Sequence, residues 1–121
     1  MAEDNLINQK LAEKIFTQAG YIVDIVNNGE EAVNMFLSNP NKYDIIFMDI
    51  QMPVLNGHEA TKMLREKGFK DIPIVAVTAN VIKGAREQCL EAGMNDYIPK
   101  PVKREIIFQT INKWVIKKKA P

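Results

Sequence analysis

Unbroken apolar runs of strand length alternate along this chain with stretches in which apolar residues recur every three or four positions. Leu6, Ile7, Leu11, Ile15, Phe16 and Ala19 share one helical face, which Gly20 stops and Asp4 or Asn5 caps. Residues 21–26 form a β-rich run closed by Asn27-Asn28-Gly29. Glu30 and Glu31 then open a second helix carrying Ala32, Val33, Phe36 and Leu37, ended by Asn39-Pro40-Asn41. Ile45-Ile46-Phe47-Met48 is apolar without alternation, as a strand buried on both faces requires, and it runs straight into Asp49. After a loop from Gln51 to Gly57, a third helix is predicted over about residues 58–67, ending at Gly68. Ile74-Val75-Ala76-Val77 repeats the unbroken pattern and ends at Thr78. A fourth helix covers about residues 83–92 and stops at Gly93. Tyr97-Ile98 is a short strand, Pro99-Lys100-Pro101 a stiff loop, and Ile106, Ile107, Thr110, Ile111 and Trp114 line the inner face of a last helix.

Such alternation predicts an α/β fold, a doubly wound parallel sheet with helices on both faces and any ligand site at the carboxyl ends of the strands. With 121 residues the chain holds one domain, 1–121. Its 46% hydrophobic and 26% charged content exclude disordered, collagen-like and disulfide-stapled classes. Sixteen basic against fifteen acidic residues leave a charge of +1, which argues against nucleic acid as a partner, and Lys117-Lys118-Lys119 reads as a solvated tail. No apolar run approaches the roughly 18 residues of a membrane span, and Met1-Ala2-Glu3-Asp4 lacks the pattern of a signal peptide, so the expected location is cytoplasmic. Cys89 falls in a helical apolar pattern and reads as a buried small hydrophobe; His58 reads as an exposed residue of the third helix.

The strand ends bring Glu3-Asp4, Asp49 and Thr78 to one rim, and Lys100 follows the last strand. Separately, each residue type is an ordinary turn, cap or loop residue. Jointly they form a cluster of carboxylates that repel one another unless a cation binds, and all-oxygen ligation suits Mg²⁺ or Mn²⁺. A cation beside a carboxylate, with a hydroxyl and an ammonium in reach, meets the needs of phosphoryl transfer to Asp. The chain has no Walker A loop and no GxGxxG. A flavodoxin-like cofactor binder would want a small-residue loop where Glu3-Asp4-Asn5 stands.

Glu3-Asp4-Asn5, the run from Ile45 to Pro53 with Gly57, Val77-Thr78-Ala79 and Lys100-Pro101 closely resemble a response-regulator receiver domain of the kind found in hybrid histidine kinases. The resemblance extends from Glu3 to about Lys117. It implies the flavodoxin-like strand order 2-1-3-4-5 and a domain of a two-component system, fed by a histidine kinase or a histidine phosphotransfer protein. By position, Asp49 would be the phosphoacceptor, Glu3, Asp4, Asp49 and the backbone carbonyl of Gln51 the metal ligands, and Thr78 and Lys100 the phosphoryl-binding pair. Lys100-Pro101 would be a cis bond, and Tyr97 the aromatic that turns inward with Thr78. Such a domain is not an enzyme in its own right, since it assists only its own phosphorylation and dephosphorylation.

The pattern departs from the family at its start, where only Met1-Ala2 precede the acidic pair in place of a first strand of about five apolar residues. At about 1.5–3 kcal/mol for each buried side chain, that strand rivals the roughly 5–15 kcal/mol that holds a domain together. The chain is thus expected to be an N-terminally shortened receiver in one of three situations. It is an excised piece or begins at a late start codon, its gap is filled by another chain, as in a homodimer, or residues 21–26 move in to pair directly with 45–49. An interaction module without efficient phosphorylation is the alternative function.

Overall fold

The computed structural model describes residues 1–52, 54–79 and 84–116. Pro53, the expected fourth-helix start at Lys83 and the basic tail from Lys117 to Lys119 fall outside them. Three parallel strands, β1 (Ile46–Asp49), β2 (Ile74–Thr78) and β3 (Asp96–Pro99), pair in that order. The register sets Asp49 opposite Val77 and Thr78 opposite Pro99. Five helices surround them: α1 (Leu6–Gln18), α2 (Gly29–Ser38), α3 (Gly57–Glu66), α4 (Ala85–Ala92) and α5 (Arg104–Ile111), the last running on into a π-helical turn at Asn112–Ile116.

Alternate strand residues point to opposite faces, which divides the core in two. Ile46, Met48, Ile74 and Ala76 pack with Val33, Phe36, Leu64, Cys89 and Met94 on the side of α2, α3 and α4. Phe47, Val75 and Val77 pack with Ala12, Phe16, Ile107 and Ile111 on the side of α1 and α5. All four residues of β1 and all five of β2 are buried, as their unbroken apolar runs require. Among the described residues no helix is long and apolar enough to cross a membrane.

At the amino end the structure corrects two expectations. Residues 21–26 form no continuous strand; only Val26 makes a bridge, to Ala2, and Ala2 makes a second to Met48, both parallel. They also do not close directly onto β1, because Met1 to Glu3 lie between. Ala2 N–H donates to Phe47 O at 2.9 Å, Asp49 N–H to Ala2 O at 3.1 Å, Val26 N–H to Met1 O at 3.0 Å and Glu3 N–H to Val26 O at 3.0 Å. The order 2-1-3-4-5 therefore survives in these few ladder bonds. Residues 21–25 make no ladder among the described residues, and a cleft of about 40 Å³ beside them is lined by Met1, Asp24, Val26, Phe36, Tyr43 and Ile45.

Local chemistry sets the helix starts at the functional rim. Asn5, not Asp4, caps α1, its side chain accepting from Asn8 N–H at 3.0 Å. Asn56 and Glu59 form a reciprocal capping box at α3. Gly57 opens that helix directly against the end of β1: a Cβ there would lie 2.4 Å from Asp49 O.

Candidate functional site

Each carboxyl strand end delivers one polar group to a common rim. Glu3 leaves the short Met1-Ala2 ladder, is 1% exposed and has its carboxylate held twice: Oε2 accepts from Asn5 N–H at 3.1 Å, and Oε1 lies 3.0 Å from Lys100 Nζ. Gln9 on α1 donates to the Glu3 carbonyl at 2.5 Å, tying the helix to the same residue. Asp49 ends β1 and is buried; Oδ1 accepts from Gln51 N–H at 3.1 Å, and Oδ2 lies 2.6 Å from Lys100 Nζ. Asp4 is exposed, yet one oxygen from each of Glu3, Asp4 and Asp49 falls within 4.8 Å of the others. Three carboxylates at that separation offer the hard, charged oxygens a small divalent cation takes.

Lys100 reaches the cluster because β3 ends one residue earlier and Lys100 N–H donates to Thr78 O at 2.8 Å. The following peptide bond, Lys100-Pro101, is cis. Burial works against the Lys100 charge, but the hydrogen bonds it donates to Asp49 and Glu3 outweigh it and raise the ammonium above the usual lysine range. Thr78 is buried at the end of β2. Tyr97, paired with Ala76 on β3, is half-buried and packed against the α2–α4 side of the core. At Gln51 the structure fixes the amide, on Asp49 Oδ1. The structure thus brings Glu3, Asp4, Asp49 and Lys100 together, with Thr78 on the adjoining strand and Tyr97 further back along β3.

Around this rim the surface is unexpectedly apolar. Leu6, Ile7 and Leu11 on the first turns of α1 are 63%, 77% and 41% exposed. In the loop after β1, Val54 is 74% exposed at φ 68°. That left-handed region is costly for a β-branched residue.

A family model of the response regulator receiver domain matches residues 1–112. The chain belongs to that family. Hybrid signal transduction histidine kinase I of Dictyostelium discoideum is 42% identical over 123 residues, which cover 97% of this receiver and 7% of the kinase. Two-component response regulator 24 of Arabidopsis thaliana is 37% identical over 113 residues, 93% of the receiver and 80% of that protein. The receiver thus spans only a small part of hybrid kinase relatives. Among solved structures, the receiver domain of Saccharomyces cerevisiae Ssk1, in complex with the histidine phosphotransfer protein Ypd1, matches with a TM-score of 0.89 and 31% identity, covering 98% of this chain and 88% of that one. The receiver of a Pseudomonas aeruginosa PAO1 sensor histidine kinase, solved with magnesium coordinated in its active-site cleft, matches with a TM-score of 0.85 and 41% identity over 94% and 93% of the two chains.

Two expectations about side chains away from the rim resolve differently. Cys89 is buried, as its pattern requires, and burial pushes its thiol up. His58 is half-buried rather than exposed: its Nε2 lies 3.7 Å from Cys89 Sγ across the α3–α4 contact. Burial, then the charge of Lys62, lowers its imidazole. A neutral imidazole beside a protonated thiol is a packing contact, not an activated nucleophile. Sequence reasoning passed over Arg65, in the last turn of α3, and Asn95, in the turn between α4 and β3, which bond each other. Nothing in their local sequence signals a contact thirty positions apart.

Proposed function

We propose that this receiver is a phosphoaccepting domain of a two-component system, with Asp49 as the acceptor. The observation that carries the reading is the position of Lys100 Nζ, 2.6 Å from Asp49 Oδ2 and 3.0 Å from Glu3 Oε1, beside three converging carboxylates. An Asp49 oxygen attacks phosphorus in line as the bond from phosphorus to the donor nitrogen breaks. The electron pair of that bond returns to the donor imidazole, and an acyl phosphate forms. Lys100 places a point charge on the transferring oxygens, and Thr78 contributes a hydroxyl to the same oxygens. Glu3, Asp4, Asp49 and the Gln51 carbonyl would hold Mg²⁺ or Mn²⁺, which supplies charge neutralisation for phosphoryl oxygens. The receiver assists only its own phosphorylation and dephosphorylation.

The donor is a histidine kinase or a histidine phosphotransfer protein. Leu6, Ile7, Leu11 and Val54, exposed around the acceptor, form the apolar rim such a protein covers when its histidine reaches Asp49. With phosphate bound, Thr78 and Tyr97 carry the change to the face built by α4, β3 and α5. The cleft beside Met1 and Asp24 is a second contact surface, where another copy of the chain joins at high concentration.

The test is intact mass after treatment with a small phosphodonor and Mg²⁺. One phosphoryl group is expected on the parent and none on Asp49→Asn. A stable phosphoryl gain in Asp49→Asn would overturn the assignment, and no gain in the parent would favour an interaction module whose ion pairs already satisfy the site.

A further inference from the structure

β3 is short, lies at the edge of the described sheet and is poorly specified by burial. Of Asp96, Tyr97, Ile98 and Pro99 only Ile98 is buried. Register is strongly set where one face of a strand is buried and weakly set elsewhere. Pro99 has no N–H to give the ladder. Yet the position of Lys100 depends on this strand: a slip of one residue moves its Cα by about 3.3 Å and turns its side chain to the other face. Some other interaction must hold the register.

That interaction sits at the opposite end of β3. Asn95 N–H donates to Ile74 O at 2.8 Å while Asn95 Oδ1 accepts from Ile74 N–H at 2.9 Å, so one residue closes both backbone groups of the first residue of β2. The same Oδ1 accepts from Arg65 Nη2 at 2.9 Å. Arg65 also donates from Nε to Gly93 O at 2.9 Å and from Nη1 to Phe69 O at 2.7 Å. Its stem packs against Gly93, where a Cβ would come within 2.9 Å of Arg65 Cγ. A planar fork with several fixed donors is suited to such a three-way contact, which a lysine could not reproduce. From Asn95 the ladder runs Val75↔Asp96, Ala76↔Tyr97, Val77↔Ile98, Thr78↔Pro99 and then to Lys100 N–H on Thr78 O.

We propose that Arg65 and Asn95 are positioning residues for Lys100, setting the register of β3 so that the ammonium arrives on Asp49 and Glu3 about 16 Å away, five residues at roughly 3.3 Å each. The effect on phosphoryl acceptance rests on the role assigned to Lys100 above; the placement itself does not.

The experiment therefore reads placement first. Nitrogen-15 NMR of the Lys100 side-chain ammonium in the 121-residue chain reports its contact with Asp49 through its shift and slow exchange. Arg65→Met and Asn95→Leu are expected to lose this signature, and Asn95→Asp, which keeps an oxygen for both donors, to retain it. Acceptance of phosphate from a small donor with Mg²⁺ should fall about tenfold to a hundredfold in Arg65→Met, the scale of a roughly 1 Å misplacement. In a Lys100→Ala background the same change should add nothing. An unchanged Lys100 signature in folded Arg65→Met and Asn95→Leu would overturn the proposal, as would rate losses that multiply with Lys100→Ala. Where Arg65→Met does not fold, Arg65→Lys decides on the same two readouts. A parent that takes no phosphate refutes the proposed function alone, since the NMR signature still judges the placement.

Discussion

Replacing Lys100 by Met keeps an unbranched stem of similar length and removes a positive charge that touches both buried carboxylates. Glu3 and Asp49 side chains are 1% and 4% exposed, against 20% for Lys100. Breaking a buried pair by removing one partner costs about 3–5 kcal/mol, because the remaining charge is left uncompensated. Lys100 keeps some contact with water, so about 3 kcal/mol is expected. In urea, with a slope of about 1–3 kcal/mol per molar, that moves the unfolding midpoint by about 1–3 M. The loss should be visible in a chelator and largely reversed by Mg²⁺, since a cation at about 100 times its dissociation constant returns about 2.7 kcal/mol. The parent should gain less from the same Mg²⁺, because its ammonium occupies oxygens the cation needs. Urea titrations of both proteins, with and without Mg²⁺, measure all four quantities. Equal midpoints in chelator would show that the ion pairs contribute nothing, and equal gains from Mg²⁺ would show that cation and lysine do not share ligands.

Thr78→Ala is expected to spare phosphorylation more than the response at Tyr97; identical Tyr97 spectral changes in parent and variant on adding a phosphoryl mimic would refute the coupling. Extending the 121-residue chain ahead of Met1 by about five apolar residues should cover the cleft beside Met1 and Asp24, raise stability by several kcal/mol and reduce self-association. Sedimentation and urea unfolding that show neither would count against that cleft as a contact surface. His58 has its imidazole lowered by burial, so the folded form binds fewer protons than the unfolded form below pH about 6.5. Its contribution is therefore complete above that pH and lost as pH falls toward its folded value. His58→Gln should remove this part of the decline, as paired unfolding curves between pH 7 and 5 would reveal.

The fold was legible because its two central strands, 45–48 and 74–77, are apolar at every position, a pattern that only a sheet covered on both faces explains. Asp49 and Thr78 were legible for the same reason, as the first polar residues after such runs. What stayed hidden depends on distance. Residues 21–26 carry strand residues, but a strand needs pairing over several positions, and among the described residues only Val26 bridges to a neighbour, at Ala2. That Lys100 would hold Glu3 as well as Asp49 follows from the length of its stem and the closeness of two strand ends, neither of which periodicity encodes. The exposure of His58 was misread because α3 packs against α4 at that turn, and the chain between them gives no sign of their approach.

Gly57 gives these experiments an internal reference. Any side chain there would press on the carbonyl of Asp49 itself, at 2.4 Å. In a saturation library sorted by abundance, position 57 should tolerate nothing else, while position 49 accepts Asn, because Lys100 stays paired with Glu3. Sorted by phosphoryl signalling, both positions should collapse to a single residue. The difference between the two sorts would separate, on adjoining atoms, the demand of packing from the demand of chemistry.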